Sequence, residues 1–140
     1  MALTDYKTAL VTGASSGIGE ATVRALSERG IQVYAAARRK EKLDVLAAET
    51  GCTPVVLDVK DKDAIYSTLN DLEIDILVNN AGLGKGFEAL FKANPDDIQT
   101  TLETNVIGAA HVIRAVGAGM VKRNRGHVVN IGSVAGLYPI

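Results

Sequence analysis

Short apolar runs alternate with longer amphipathic stretches along this chain. Residues 8–12 (TALVT), 32–37 (QVYAAA), 54–57 (PVVL), 75–78 (DILV) and 127–131 (HVVNI) are rich in β-branched residues and bounded by Gly, Asn or Asp, which predicts strands. Within them apolar residues follow one another instead of alternating, so both faces of each strand should be covered, as in a parallel sheet between helix layers. Between the runs lie helical periods. Ile18, Ala21, Thr22, Ala25 and Leu26 line one expected helix face, stopped by Gly30, and Leu43, Leu46 and Ala47 form a second, stopped by Gly51. Asp61 is placed to cap a third helix carrying Ile65, Leu69 and Leu72; Asn94, with Pro95, Asp96 and Asp97 after it, is placed to cap a fourth. From Asn105 to about Arg123 the chain is apolar on more than one side, so that helix should pack on the sheet and on something else besides. The order β-α-β-α-β-α-β-α-β predicts an α/β fold, a doubly wound parallel sheet with helices on both faces, whose binding site lies at the carboxyl ends of the strands where strand order reverses.

The last apolar run, 127–131, reads as a strand that needs covering, yet nine residues follow it. Left bare it would be an apolar edge. The expectation is therefore that a further helix and strand cover it, residues 1–140 forming the N-terminal portion of a single domain whose C-terminal part lies outside this sequence. Composition changes the picture mainly by exclusion. A chain of 140 residues that is 47% hydrophobic and 22% charged has enough apolar material for a core. Its net charge of -1 and 4% aromatic content argue against a nucleic-acid partner, which calls for a basic excess or stacking platforms. A lone Cys52 can make neither an internal disulfide nor a metal cage. No secretory leader or apolar run of membrane-spanning length is visible, so no membrane partner and a cytoplasmic location are expected.

The chemistry begins after the first strand, at Thr12-Gly13-Ala14-Ser15-Ser16-Gly17-Ile18-Gly19, opening directly into a helix. Gly13 lets the chain leave the strand in a tight turn, Gly17 lets the backbone approach a pyrophosphate, and Gly19 allows close helix–strand packing. The helix start offers unpaired N–H groups and partial positive charge to an anion, and Ser15 and Ser16 add hydroxyls. A glycine-rich turn can exist without a ligand, but the flanking strand and helix favour one; the absence of a terminal Lys-Ser/Thr argues against a Walker-type hydrolase.

This spacing resembles the Thr-Gly-x-x-x-Gly-x-Gly motif of the short-chain dehydrogenase/reductase family, and three further matches follow in order. Asn79-Asn80-Ala81-Gly82 resembles the family's second motif, Asn105 falls where the family has a structural and catalytic Asn, and Ile131-Gly132-Ser133 where it has the catalytic Ser. The resemblance implies a Rossmann-like fold with five strands present out of seven, residues 1–140 being the N-terminal portion of a single dinucleotide-binding domain, and hydride transfer between a nicotinamide and a small-molecule carbonyl or alcohol. It implies cofactor contacts from Gly13, Ser15, Ser16, Gly17, Ile18, Gly19, Asn80, Ala81, Gly82 and Ile131. It gives Asp58 and Val59 to the adenine, although Asp58 could instead cap the following turn. Asn79 can be wholly structural. Asn105 is either a simple N-cap or a local helix break that holds a water, and Ser133 either polarises the substrate carbonyl or is a turn serine.

Cofactor choice rests on the end of the second strand, where Ala37-Arg38-Arg39-Lys40 stands in place of a carboxylate. A guanidinium can grip a ribose 2′-phosphate through two parallel hydrogen bonds, so NADP(H) is expected, with Arg38 and Arg39 as its readers and Lys40 as a solvated helix start. The family's Tyr-x-x-x-Lys proton donor is absent from the 140 residues. Tyr138, five residues past Ser133, is expected with Pro139 in a substrate-side loop, and Gly84, Lys85, Phe87, Val134 and Leu137 are placed to approach the substrate. Two readings stand at this point: an oxidoreductase whose Tyr and Lys lie elsewhere, or a non-catalytic NADP-binding module. The two-sided helix around Val112 and Val116 resembles the family's subunit-contact helix and implies a homodimer or homotetramer.

Overall fold

The computed structural model describes residues 2–138. Five parallel strands, β1 (Thr8–Thr12), β2 (Gln32–Ala37), β3 (Thr53–Val56), β4 (Ile76–Asn79) and β5 (His127–Asn130), form one sheet in the order β3-β2-β1-β4-β5. Strand order reverses between β1 and β4. The helices are α1 (Gly17–Glu28), α2 (Lys40–Thr50), α3 (Lys62–Leu69), α4 (Pro95–Leu102) and α5 (Ala109–Arg123).

Successive strand residues point to opposite faces, and the core divides accordingly. Ala9, Val11, Ile76 and Val78 pack with Val23 of α1 and Leu43 and Leu46 of α2. On the other face Leu10 and Leu77 pack with Ile65 and Leu69 of α3 and Val112, Ala115, Val116 and Met120 of α5. Consecutive apolar residues in β1 and β4 are thus explained by two helix layers. Expected caps are in place: Asp61 accepts from the Ala64 N–H at 3.0 Å, Asn94 from the Asp96 N–H at 2.9 Å, and Gly51 ends α2 at φ +76°.

Three expectations need correction. The α1 stripe Ile18, Ala21, Thr22, Ala25, Leu26 is only partly the core face: Val23 is the buried apolar side chain and Leu26 packs against the same cluster, while the stripe lines a shallow surface groove with Leu3 and Arg29. An amphipathic reading picks the widest apolar stripe, whereas the sheet claims whichever face the Gly17–Gly19 turn aims at it. Strand β3 is not covered on both faces: it is a sheet edge, with Thr53 and Val56 exposed, and it tolerates Pro54 for that reason. Finally, residues 94–123 do not make two separate helices. Residues Glu103–Gly108 form a π-helical turn that joins α4 to α5, so helical structure runs over 29 residues, Pro95–Arg123. That run is long and apolar enough to cross a membrane by length and composition, but Val112, Ala115, Val116 and Met120 lie in the core against the sheet, as befits a packing helix.

Candidate cofactor cleft

At the reversal point the ends of β1 and β4 are laced together. The buried Thr12 hydroxyl accepts from the N–H groups of Asn80 (3.0 Å) and Ala81 (2.9 Å), while Asn80 Nδ2 donates to the carbonyls of Thr12 (3.0 Å) and Gly13 (3.3 Å). The glycines of the turn do different work. A Cβ on Gly13 (φ +63°) would stand 2.9 Å from Ala81 Cα, and one on Gly19 only 2.2 Å from the Gly13 carbonyl oxygen; both positions are closed by packing. Gly17 (φ +54°) has nothing within 4 Å of a built Cβ. Ser16 is the N-cap of α1 but its side chain makes no capping bond. The first-turn N–H groups therefore remain available to an anion.

A cleft of about 320 Å³ opens from this turn. Eleven of the expected site residues line it: Gly13, Ser15, Ser16, Ile18, Arg38, Arg39, Asp58, Val59, Asn80, Ala81 and Gly82. Arg39 Nη2 donates to Ser15 Oγ at 3.0 Å, which ties the end of β2 to the glycine turn. Lys40 pairs with Asp44 at 2.6 Å on the surface of α2, as a solvated helix start should. Asp58 has both of its expected roles open to it. One carboxylate oxygen accepts from the Lys60 N–H at 3.0 Å, closing the turn, and the residue still lines the cleft. Arg38, Arg39 and Lys60 against Asp58 give the lining a net positive charge suited to a polyanion.

The expected residues outside the cleft lining fall into two groups. Gly17 and Gly19 shape the turn from beside and behind. Asn105, Ile131 and Ser133 belong to the neighbouring β4–β5 side. Asn105 sits within the π-turn, not at a helix N-cap, and its amide makes a two-bond clamp with one residue: Nδ2 donates to the Leu83 carbonyl at 2.7 Å and Oδ1 accepts from the Leu83 N–H at 2.8 Å. The local break reading of that helix is the one observed. The Ile131 N–H donates to the Asn79 carbonyl at 3.1 Å, extending the sheet beyond β5. The Ser133 side chain accepts from the Ala135 N–H at 3.1 Å, capping a short 3-10 turn at Val134–Gly136, and the residue is exposed. Asn79 is structural: Nδ2 donates to the Ala109 carbonyl and to Asn130 Oδ1, joining β4 to α5 and β5.

None of the described tyrosines lines the cleft. Tyr66 is hydrogen-bonded to His111 Nδ1 at 2.7 Å, and Tyr34 packs on the core. The loop expected at Tyr138 and Pro139 lies partly outside the described residues. Of the expected substrate-side residues, Lys85 is 3.8 Å from Asp97, and Phe87, Val134 and Leu137 are strongly exposed. The reading from sequence missed Leu83, Lys60 and Thr104 in the cleft lining. Nothing in the spacing around Thr104 marks it, because its place there depends on how the π-turn seats against β3.

At the opposite, amino-terminal end of the sheet, Asp75 accepts from the N–H groups of Lys7 (2.7 Å) and Thr8 (3.3 Å) and from Arg125 Nε (3.0 Å). Burial alone pushes this carboxyl up, but the Lys7 N–H, the Arg125 guanidinium and the Thr8 N–H together outweigh it and hold it below the usual carboxylate range.

The family model described as short chain dehydrogenase matches residues 7–140. A curated relative, the NADP-dependent 3-hydroxy acid dehydrogenase YdfG of Salmonella typhi, is 45% identical over 137 residues, covering 93% of this chain and 55% of that protein. Among solved structures, serine dehydrogenase from Escherichia coli superposes with a TM-score of 0.90 at 44% identity, covering 95% of this chain and 65% of that one. A closed form of serine dehydrogenase complexed with NADP+ gives 0.91 at 44% identity, covering 95% and 56%. The chain spans about half the length of the curated relatives it matches.

Proposed function

The chain belongs to the short-chain dehydrogenase family, and from that premise we propose that it carries the NADP(H)-binding half of an oxidoreductase domain acting on a carbonyl or alcohol substrate. The observation that carries this reading is the cationic corner of the cleft: Arg38 and Arg39 follow β2 directly, where no carboxylate stands, and Arg39 is bonded to Ser15 of the glycine turn. The cleft fits such a group on its own chemistry. Gly17 leaves room at an uncapped helix start for a pyrophosphate, the two guanidinium groups suit a third phosphate, and Asp58 can accept from an exocyclic amine.

When bound, the nicotinamide supplies or accepts a hydride. The chain's own residues would bind and orient it: the glycine turn and the N–H groups of α1 would hold the pyrophosphate, Arg38 and Arg39 the 2′-phosphate, and Asn80, Ala81 and Gly82 the ribose. Asn105 fixes the Leu83 backbone, and the Ser133 hydroxyl, which only accepts in its capping bond, keeps its proton to polarise a substrate oxygen. The relatives named as 3-hydroxy acid dehydrogenases favour a hydroxy acid as the alcohol. No Tyr-x-x-x-Lys occurs in the 140 residues, so turnover is assigned to a protein with a proton donor from beyond them, residues 1–140 being the N-terminal portion of one domain. A cytoplasmic location and assembly as a dimer or tetramer complete the reading. Leu102, Val106 and Val121, exposed along the α4–α5 helix, support self-association; light scattering that reads a monomer at micromolar concentration would contradict it.

The test is cofactor discrimination. Calorimetric titration should give at least about tenfold tighter binding of NADPH than of NADH, a difference of about 1.4 kcal/mol, and Arg38→Ala should remove most of that gap. Equal dissociation constants for the two cofactors in the unaltered chain would defeat the reading.

A further inference from the structure

We propose that the Thr104 hydroxyl is an additional ligand-binding group of the cleft, meeting a ring nitrogen of the purine. This rests on the dinucleotide reading above and deepens it on the adenine side. Two side-chain oxygens among the described residues are buried without a hydrogen-bond partner, those of Ser27 and Thr104, and only Thr104 lines the cleft. A hydroxyl shut away from water and left unpaired is destabilising by itself, and a buried polar group of this kind calls for a reason.

Three other helical threonines in this chain dispose of the hydroxyl by donating to the carbonyl four residues back. Thr22 donates to Ile18 at 2.7 Å, Thr50 to Leu46 at 2.8 Å and Thr101 to Asp97 at 2.7 Å. Thr104 does not, and it stands in the π-turn, where the regular α-helical spacing is lost. The same turn is seated backbone to backbone on the strand side of the cleft. A Cβ on Gly108 would lie 2.4 Å from the Val59 carbonyl oxygen, so only a glycine permits that approach. Gly108 thereby fixes Thr104, four residues earlier and 7% exposed, close to the wall that Asp58, Val59 and Ala81 form.

The two polar groups at this end are complementary in kind. Asp58 is acceptor-only when ionised and suits an exocyclic amine; a threonine hydroxyl can donate to a ring nitrogen. A 120° χ1 step carries the hydroxyl into the place the methyl held and the methyl into that of the β-hydrogen, and such a step would bring the buried hydroxyl to the ligand.

The probe is adenosine 2′,5′-bisphosphate, titrated calorimetrically into the chain and its variants, with thermal melts alongside and inorganic pyrophosphate as the ligand without a purine. Thr104→Val keeps the shape and removes the hydroxyl. It should melt at the same temperature or higher, bind the bisphosphate at least about fivefold more weakly, and bind pyrophosphate as the unaltered chain does. Thr104→Ser should stay within about twofold of the unaltered chain on both ligands, and Thr104→Ala should repeat the valine result if valine disturbs packing. Bisphosphate binding by the valine and alanine variants within about twofold of the unaltered chain overturns the proposal, as does an equal loss of pyrophosphate binding. Those outcomes leave the NADP reading standing. Failure of the unaltered chain to bind the bisphosphate at all overturns both.

Discussion

Strands β4 and β5 lie side by side, each four residues long, each ending in asparagine, joined in parallel register from Ile76↔His127 to Asn79↔Asn130. Their sequences, ILVN and HVVN, make similar local promises. All four positions of β4 are buried, whereas three of the four in β5 are exposed, Val128 by 38%. The difference lies in their neighbours. β4 is flanked by β1 and β5 and covered on its two faces by both core clusters; β5 has one strand beside it and thin cover. The same contrast divides the candidate site residues. Those at the β1–β4 reversal and beside it line a cleft, while Ile131 and Ser133, at the end of β5, lie outside it and are exposed.

Substitutions can measure that contrast. Leu77→Ala, in the centre of β4 and fully buried, should cost about 2–5 kcal/mol of stability in a denaturant titration. A value under about 1 kcal/mol would mean that β4 is no better enclosed than its neighbour. Asp75 is the intermediate case, because it couples the two strands: its carbonyl accepts from the His127 N–H at 2.8 Å and its carboxylate holds Arg125. Asp75→Asn should cost about 1–3 kcal/mol near neutral pH. The carboxyl sits below its ordinary range in the folded chain, so its contribution is fully present above that range. It is lost as pH falls through the lowered value. The unaltered chain should therefore lose stability on acidification more steeply than the Asn variant, and parallel acid limbs would remove Asp75 from the account. The smallest effect belongs to β5: Val128→Ala should change stability by less than about 1 kcal/mol. A loss equal to that of Leu77→Ala would show β5 to be enclosed in solution.

Much of the fold was legible because the relevant signals are local. The glycine turn, the caps at Asp61 and Asn94 and the apolar runs each depend on a few consecutive residues, and strand boundaries shifted by only one or two positions. The α1 stripe misled because several apolar faces were on offer and only packing could choose among them. Arg38 and Arg39 were found from their place at a strand end. The link from Arg39 to Ser15, 24 residues away, needed the sheet to bring two crossovers to one end.

Chain order, strand and helix content, the glycine-rich turn and the absence of an acid at the end of β2 follow from the sequence by itself, since each is written in short-range spacing and backbone preference. Tertiary structure alone decided that Asn105 clamps Leu83 from within a π-turn, that Gly108 meets the Val59 carbonyl, and that Thr104 reaches the cleft with its hydroxyl unpaired. The first spans 22 residues, and the other two depend on where one helix settles against the turn after β3, nearly fifty residues away; contacts of that range are set by packing.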